Sequence, residues 1–341
     1  MHIYEVTLSL LSLNAIISKF KFQKAIKEIL YWLSAAWLIL LYAFQAPSVG
    51  PDTGAYIEYF QTLRTLPLSS ALKYNWEPGY IFFNWMLGKF SSDGRAIIIA
   101  MSFAVLIPIF YWIKNESSWP ELGLVIFVGT GMWNMSMGIF RQFLAMAILT
   151  CSYKYIREQK FWKFLVVVIA ASLFHQTAMI FVLAYFAYKI PINSKTLCAS
   201  ALVSIVLWLS GNRIFQFLSV FSRIKYEAST DGGVTLLLFL WACIFGVFAV
   251  FKGHISLPLK LHYMQVLIAA VSQPIALAFS LWARIVLYFS VSLSILLPNV
   301  IVELTSGTSQ NRKLRMPLGI IVCLLMMIWF KMLDVDPYVF M

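Results

Sequence analysis

The sequence predicts an all-α, polytopic integral membrane protein, read as a single membrane domain over residues 1–341. Hydrophobic residues make up 61% of the chain and charged residues 12%. Soluble domains hold roughly 45–50% and about 25%. Mean hydropathy is +0.81. Apolar runs recur from end to end and approach the ~20 residues a spanning helix needs. Alternating strands that would close a barrel are absent from the pattern.

The elements follow in order. The first run, MHIYEVTLSLLSLNAIIS, lacks a basic flank and a small-residue cleavage site, so it reads as a membrane helix and not a removed signal. Apolar runs 28–46, 77–91, 95–113, 120–135 and 139–154 come next. Three basic clusters orient them: Lys19, Lys21, Lys24 and Lys27; Lys154, Arg157, Lys160 and Lys163; Arg312, Lys313 and Arg315. Placing all three inside demands an even number of crossings between each pair. Run 77–91 opens on Glu77-Pro78-Gly79 and is short, so it is assigned as a re-entrant or interfacial segment within an outer loop at 47–94. Segment 161–190 lies between basic patches and must go out and return, with His175-Gln176 as its only polar hinge. Runs 196–211, 234–251, 261–280, 284–302 and 316–332 complete about twelve crossings, with a second outer loop at 212–233.

The net charge of +12 fits basic loops facing anionic lipid and calls for no nucleic acid. Four cysteines without a C-x-x-C pair point to neither disulfides nor structural zinc. No phosphate-binding glycine loop, dinucleotide fingerprint or H-E-x-x-H is present, so no cofactor and no metal is expected.

On this topology the notable polar residues crowd the outer side. An ionisable group in a membrane run is costly, so each is a candidate for function beside a structural alternative. His175 is either a satisfied helix-junction residue or a proton-transfer group or anion ligand. Arg141 follows the glycine-bearing stretch GTGMWNMSMG. It either snorkels to the interface or binds phosphate at a helix start. Arg284 repeats that arrangement in FSLWARIVLYFS. Arg223, Lys225 and Tyr226 form either a solvated run or a basic rim for an anionic headgroup. Residues 55–65 suit an amphipathic helix with Tyr56, Tyr59, Phe60 and Leu63 on one side. Asp52 is its cap or a general base, and Glu77 a turn residue or a base whose partial desolvation would raise its pKa.

Together these residues carry a resemblance. Asp52 and Tyr56 read D-x-x-x-Y, and Glu77-Pro78-Gly79 follows. Arg141-Gln142 precedes Leu144-Ala145, and Phe174-His175 leads into another apolar run. Trp282, Arg284 and Tyr288 close the pattern. Over roughly residues 30–300 the chain resembles the EpsG family, the Wzy-type polymerases of bacterial exopolysaccharide, capsule and O-antigen. The resemblance implies a multi-pass protein of the bacterial inner membrane with its active site on the periplasmic or exterior face. It implies undecaprenyl-pyrophosphate-linked oligosaccharides as substrates, transfer of the growing chain onto the next unit, and loss of undecaprenyl pyrophosphate. The bilayer, and a chain-length regulator and flippase of the same pathway, are the implied partners. A GT-C-like architecture enters by analogy only. The residue set fits that chemistry: Arg141, Gln142, Arg223, Lys225, Tyr226, Arg284, Tyr288 and Tyr56 as substrate contacts, with His175, Asp52 or Glu77 as the base. A flippase or transporter of lipid-linked oligosaccharide, a membrane O-acyltransferase and a secondary transporter are the rival readings. The first should show two similar halves, the second a histidine open to cytoplasmic acyl-CoA, the third acidic residues at the midplane.

Overall fold

The structure, a computed structural model, describes residues 2–20, 22–221, 233–333, 335 and 337–340. These residues are helical, with one isolated bridge between Gln45 and Phe340 and no strand among them. Helices α1 (His2–Ile17) and α2 (Lys24–Ala43) lead into three short ones, α3 (Thr53–Thr65), α4 (Leu68–Ala71) and α5 (Pro78–Leu87). The long α6 (Arg95–Glu116) precedes a broken stretch of α7 (Pro120–Gly129), α8 (Met132–Ser136), α9 (Phe140–Leu149) and α10 (Tyr153–Arg157). Then come α11 (Phe161–Ser172), a 3-10 segment (Gln176–Phe181) and α12 (Val182–Lys189). The rest is α13 (Ser194–Leu209), α14 (Gly211–Phe221), α15 (Gly233–Val250), α16 (Leu257–Ala278), α17 (Trp282–Ser290), α18 (Leu293–Leu304) and α19 (Ser309–Lys331).

Among the described residues, six stretches are long and apolar enough to cross a membrane: α2, α6, α15, α16, the α17–α18 pair and α19. The shorter apolar α1, α7, α11 and α13 accompany them. Charge parity predicts about twelve crossings; the unbroken α1 and α13 fall short by length, and the rest of the difference lies where the backbone breaks. Gly131 takes a left-handed turn (φ +80°) after α7, and Ile139 leaves helical geometry before α9. His175 is extended between α11 and the 3-10 segment. Such broken backbone is tolerated at membrane depth where protein surrounds it.

The core sits on α7 and α16. All of Glu121–Gly129 is buried in α7, which packs against α1, α18 and α19. A helix apolar on every side belongs inside a bundle. α16 packs against α12, α13, α15, α17 and α18. Lipid tails are as apolar as leucine, so these contacts hold through close packing more than through exclusion of water.

The loop at 47–94 is built from α3–α5. α5 spans ten residues, about 15 Å at helical rise, about half of the hydrocarbon layer. In α3, Tyr56, Phe60 and Leu63 are buried and Tyr59 half-buried, the predicted face. The loop expected at 212–233 begins as helix α14, and 222–232 lie outside the described residues.

Helix α6 spans about 33 Å at 1.5 Å per residue and separates two polar ends. Gly94, at its start, abuts Ile57 and Gln61 of α3. At its other end Lys114 pairs with Glu28 at 2.9 Å, and Arg157 binds Glu116 bidentately at 2.6 Å. Arg315 donates to Thr305, which caps the end of the neighbouring α18, whose Asn299 bonds the Glu116 carbonyl. All three basic clusters therefore gather at the Glu116 end, as the parity argument requires.

Candidate functional site

The site lies at the opposite end, where α3, α5, α9 and α17 start and α11 stops. Glu77 is held there by its own backbone. Pro78 begins α5, and the Gly79 amide donates to the Leu173 carbonyl at 2.8 Å. A Cβ on Gly79 would lie 2.7 Å from that oxygen, so only glycine permits this docking. The contact sets Glu77 against the junction that carries His175.

The Glu77 carboxylate is 7% exposed and takes three partners. Oε2 accepts from Arg141 Nη1 at 2.6 Å, and Oε1 accepts from the Gln176 amide at 3.1 Å. His175 Nδ1 stands 3.2 Å from Oε1, at ion-pair distance but off the direction of a full hydrogen bond. Burial pushes the Glu77 pKa up, but His175, the Arg141 charge and the Gln176 amide outweigh it and hold the group at about 2. This corrects the expectation of a raised pKa: desolvation alone would have raised it, and the cationic, donor-rich pocket reverses the sign. Glu77 is thus a fixed carboxylate and a poor proton acceptor near neutral pH.

Arg141 opens α9. Its guanidinium lies 4.5 Å from the Trp76 ring, which stacks on Tyr59 at 3.5 Å. It also interacts with the Tyr56 hydroxyl, while its buried Nε has no hydrogen-bond partner among the described residues. The second pair, Arg284 Nη2 with Asp52 Oδ2 at 3.5 Å, is looser, with side chains 34% and 39% exposed. Asp52 precedes α3, yet its side chain makes no capping bond and is turned to Arg284 instead.

The structure brings Asp52, Tyr56, Glu77, Arg141, Gln142, His175, Arg284 and Tyr288 together, and it re-sorts them. Gln142 is fully buried and donates its amide to the Arg284 carbonyl. It ties the two arginine helices together. Tyr288 is buried, and its hydroxyl shares a 3.1 Å hydrogen bond with Thr177 two residues past His175. Tyr56 is buried and stacked on Phe140 at 4.6 Å. All three, expected as substrate contacts, are packed among neighbouring helices in this structure. Tyr80 is likewise buried, whereas Tyr74 is exposed and Tyr59 and Trp76 half-buried. Arg223, Lys225 and Tyr226 lie outside the described residues. No group of three or more His, Cys, Asp or Glu converges as a metal-binding set among those described.

A second network at the Glu116 end did not emerge from the sequence pattern. Tyr153 and Ser292 both donate to Gln265 Oε1, at 2.8 and 2.6 Å. His262 stands 3.5 Å from both Ser292 Oγ and Glu116 Oε2. Its signal was available: His262 and Gln265 are three residues apart, on one face of a largely apolar helix.

Residues 28–340 match the model of the EpsG family. No curated protein and no solved structure matches the chain.

Proposed function

The chain belongs to the EpsG family, a polysaccharide-polymerase-like membrane family, and on that premise we propose a glycosyltransferase that joins undecaprenyl-pyrophosphate-linked oligosaccharide repeat units at the outer face of the bacterial inner membrane. One observation carries the reading. Two arginines, two carboxylates and a histidine converge at the end of the bundle remote from the basic clusters.

The arginines suit the leaving group. A guanidinium meets phosphate oxygens bidentately, and developing charge on pyrophosphate is stabilised by donors already in place. Arg284 is the exchangeable one. Its long, half-exposed contact with Asp52 is one that a pyrophosphate oxygen can replace. Arg141 keeps unused donors beyond its bond to Glu77.

His175 suits the base. With hydrogen on Nδ1 facing Glu77, Nε2 is the free acceptor for a sugar hydroxyl proton, the orienting logic of a carboxylate–imidazole pair. Glu77 is then a positioning residue. Asp52, released when Arg284 turns to phosphate, is the second candidate.

A flippase would need a matching cation site at both ends; Arg141 and Arg284 converge at this one, while Arg157 at the other is held bidentately by Glu116. The test is alanine at His175. It should retain binding of the lipid-linked unit and lose at least ~10²-fold in turnover, the lower end for removal of a general base. Full-length polymer from His175→Ala would reduce the histidine to a helix-junction residue and pass the role to Asp52.

A further inference from the structure

Helices α1 and α2 are tied together at two levels and part on the side away from the bundle. Toward the Glu116 end, the Asn14 carboxamide donates to the Leu30 carbonyl at 3.1 Å and to Ser34 Oγ at 2.8 Å. Farther along, Trp37 Nε1 donates to Thr7 Oγ1 at 3.1 Å. These bonds hold the helices at a fixed spacing without closing the seam between them. An open groove of about 320 Å³ is left, with Leu10, Leu13 and Ile17 on one wall and Leu30, Leu33 and Trp37 on the other. Leu10, Leu13, Leu33 and Trp37 are exposed along it.

Helix α2 is long and apolar enough to cross a membrane, so hydrocarbon surrounds the groove. From Leu30 to Trp37 it runs about 10 Å at helical rise, about a third of the hydrocarbon layer. Its inner end opens onto cations. Lys27 stands one turn before Leu30, and Lys24 one turn before Lys27, so both continue the groove face of α2. Neither makes an ion pair among the described residues. Glu28, the neighbouring acid, is taken by Lys114 at 2.9 Å. Lys19, just past Ile17, adds to the same field. Burial pulls its pKa down to about 8, Glu121 opposes the fall, and the charges of Arg315 and Lys27 deepen it.

An apolar groove that ends on two unpaired ammonium groups matches the order of parts in a phospholipid, chain and then phosphate. A zwitterionic headgroup would bring its own cation against Lys24 and Lys27. An anionic headgroup brings only phosphate and hydroxyls, and lysines near the surface attract it. The arginine pairs of the candidate site lie at the other end of the bundle, so a lipid seated here is separate from one that carries sugar there.

We infer that α1 and α2 hold one anionic phospholipid of the cytoplasmic leaflet, its acyl chain in the groove and its phosphate on Lys24 and Lys27. This does not depend on the reaction proposed above. It needs only the inside placement of the basic clusters.

The test is lipid titration of the purified full chain in detergent, read by native mass spectrometry. Phosphatidylglycerol and phosphatidylethanolamine with matched acyl chains are compared. One phosphatidylglycerol should bind more tightly than phosphatidylethanolamine. Lys24→Gln with Lys27→Gln should weaken phosphatidylglycerol binding about 25-fold, roughly fivefold for each lysine beside the headgroup, and leave phosphatidylethanolamine unchanged. Lys154→Gln with Lys163→Gln removes the same charge from another cluster at the same end, from exposed positions, and should leave both lipids unchanged. Leu13→Trp with Leu33→Trp fills the groove from both walls and should weaken both lipids while the lysines remain. Equal affinity for the two lipids, or an equal loss in the Lys154 and Lys163 variant, would reduce the effect to diffuse attraction and overturn the site. Unchanged phosphatidylglycerol binding in the filled groove would overturn it as well.

Discussion

Changing Glu77 to Gln removes one charge and little volume, so it isolates the electrostatic role of the residue. The Glu77 pKa of about 2 stands against an ordinary 4.5. The difference, 4.5 − 2, is about 2.5 units, which at 1.36 kcal/mol per unit is roughly 3 kcal/mol of native-state stability at neutral pH. That is of the same order as breaking one partner from a buried ion pair, about 3–5 kcal/mol, because Arg141 would be left without its counter-charge. The sign follows from the direction of the shift. A depressed folded-state pKa stabilises fully above the ordinary value, and the gain is lost as pH falls from about 4.5 toward about 2. Denaturant unfolding of the purified protein in detergent, repeated across pH, reads this directly. Wild type should exceed Glu77→Gln by roughly 3 kcal/mol near neutrality, and the gap should narrow below the ordinary carboxylate pKa. A gap that stays constant with pH, or no gap, would refute the picture of Glu77 as the charged anchor of Arg141 and His175.

Two further outcomes are expected. Arg141→Lys and Arg284→Lys should impair polymer formation nearly as much as the alanine variants, since lysine keeps the charge and loses the bidentate fork; full activity of both lysine proteins at normal abundance would remove the pyrophosphate assignment. Gln176, exposed beside His175, changed to Cys should react with an impermeant thiol reagent on intact spheroplasts, and labelling only after the membrane is opened would reverse the topology.

Local pattern revealed much of the arrangement and little of its pairing. The apolar spacing of Tyr56, Phe60 and Leu63 is read at short range, and α3 buries that face. The His175 hinge and the gathering of the basic clusters follow from charge and run length, and both appear in the fold. The 64-residue separation of Glu77 from Arg141 and the 232 of Asp52 from Arg284 have no local signature. The sign of the Glu77 shift therefore could not be read, because it depends on partners supplied by α9 and the α11 junction. The burial of Gln142 and Tyr288 is hidden for a related reason. Sequence shows a polar residue beside an arginine, whereas packing decides whether it lies open or buried.

The most direct test of the central claim is reconstitution. The purified chain in nanodiscs is given lipid-linked repeat units and no nucleotide sugar, and products are resolved by length. A ladder should form, with one undecaprenyl pyrophosphate released for each new linkage, and Arg284→Ala should abolish both together. Units that remain single while the lipid carrier only changes leaflet would contradict the account and make the protein a flippase.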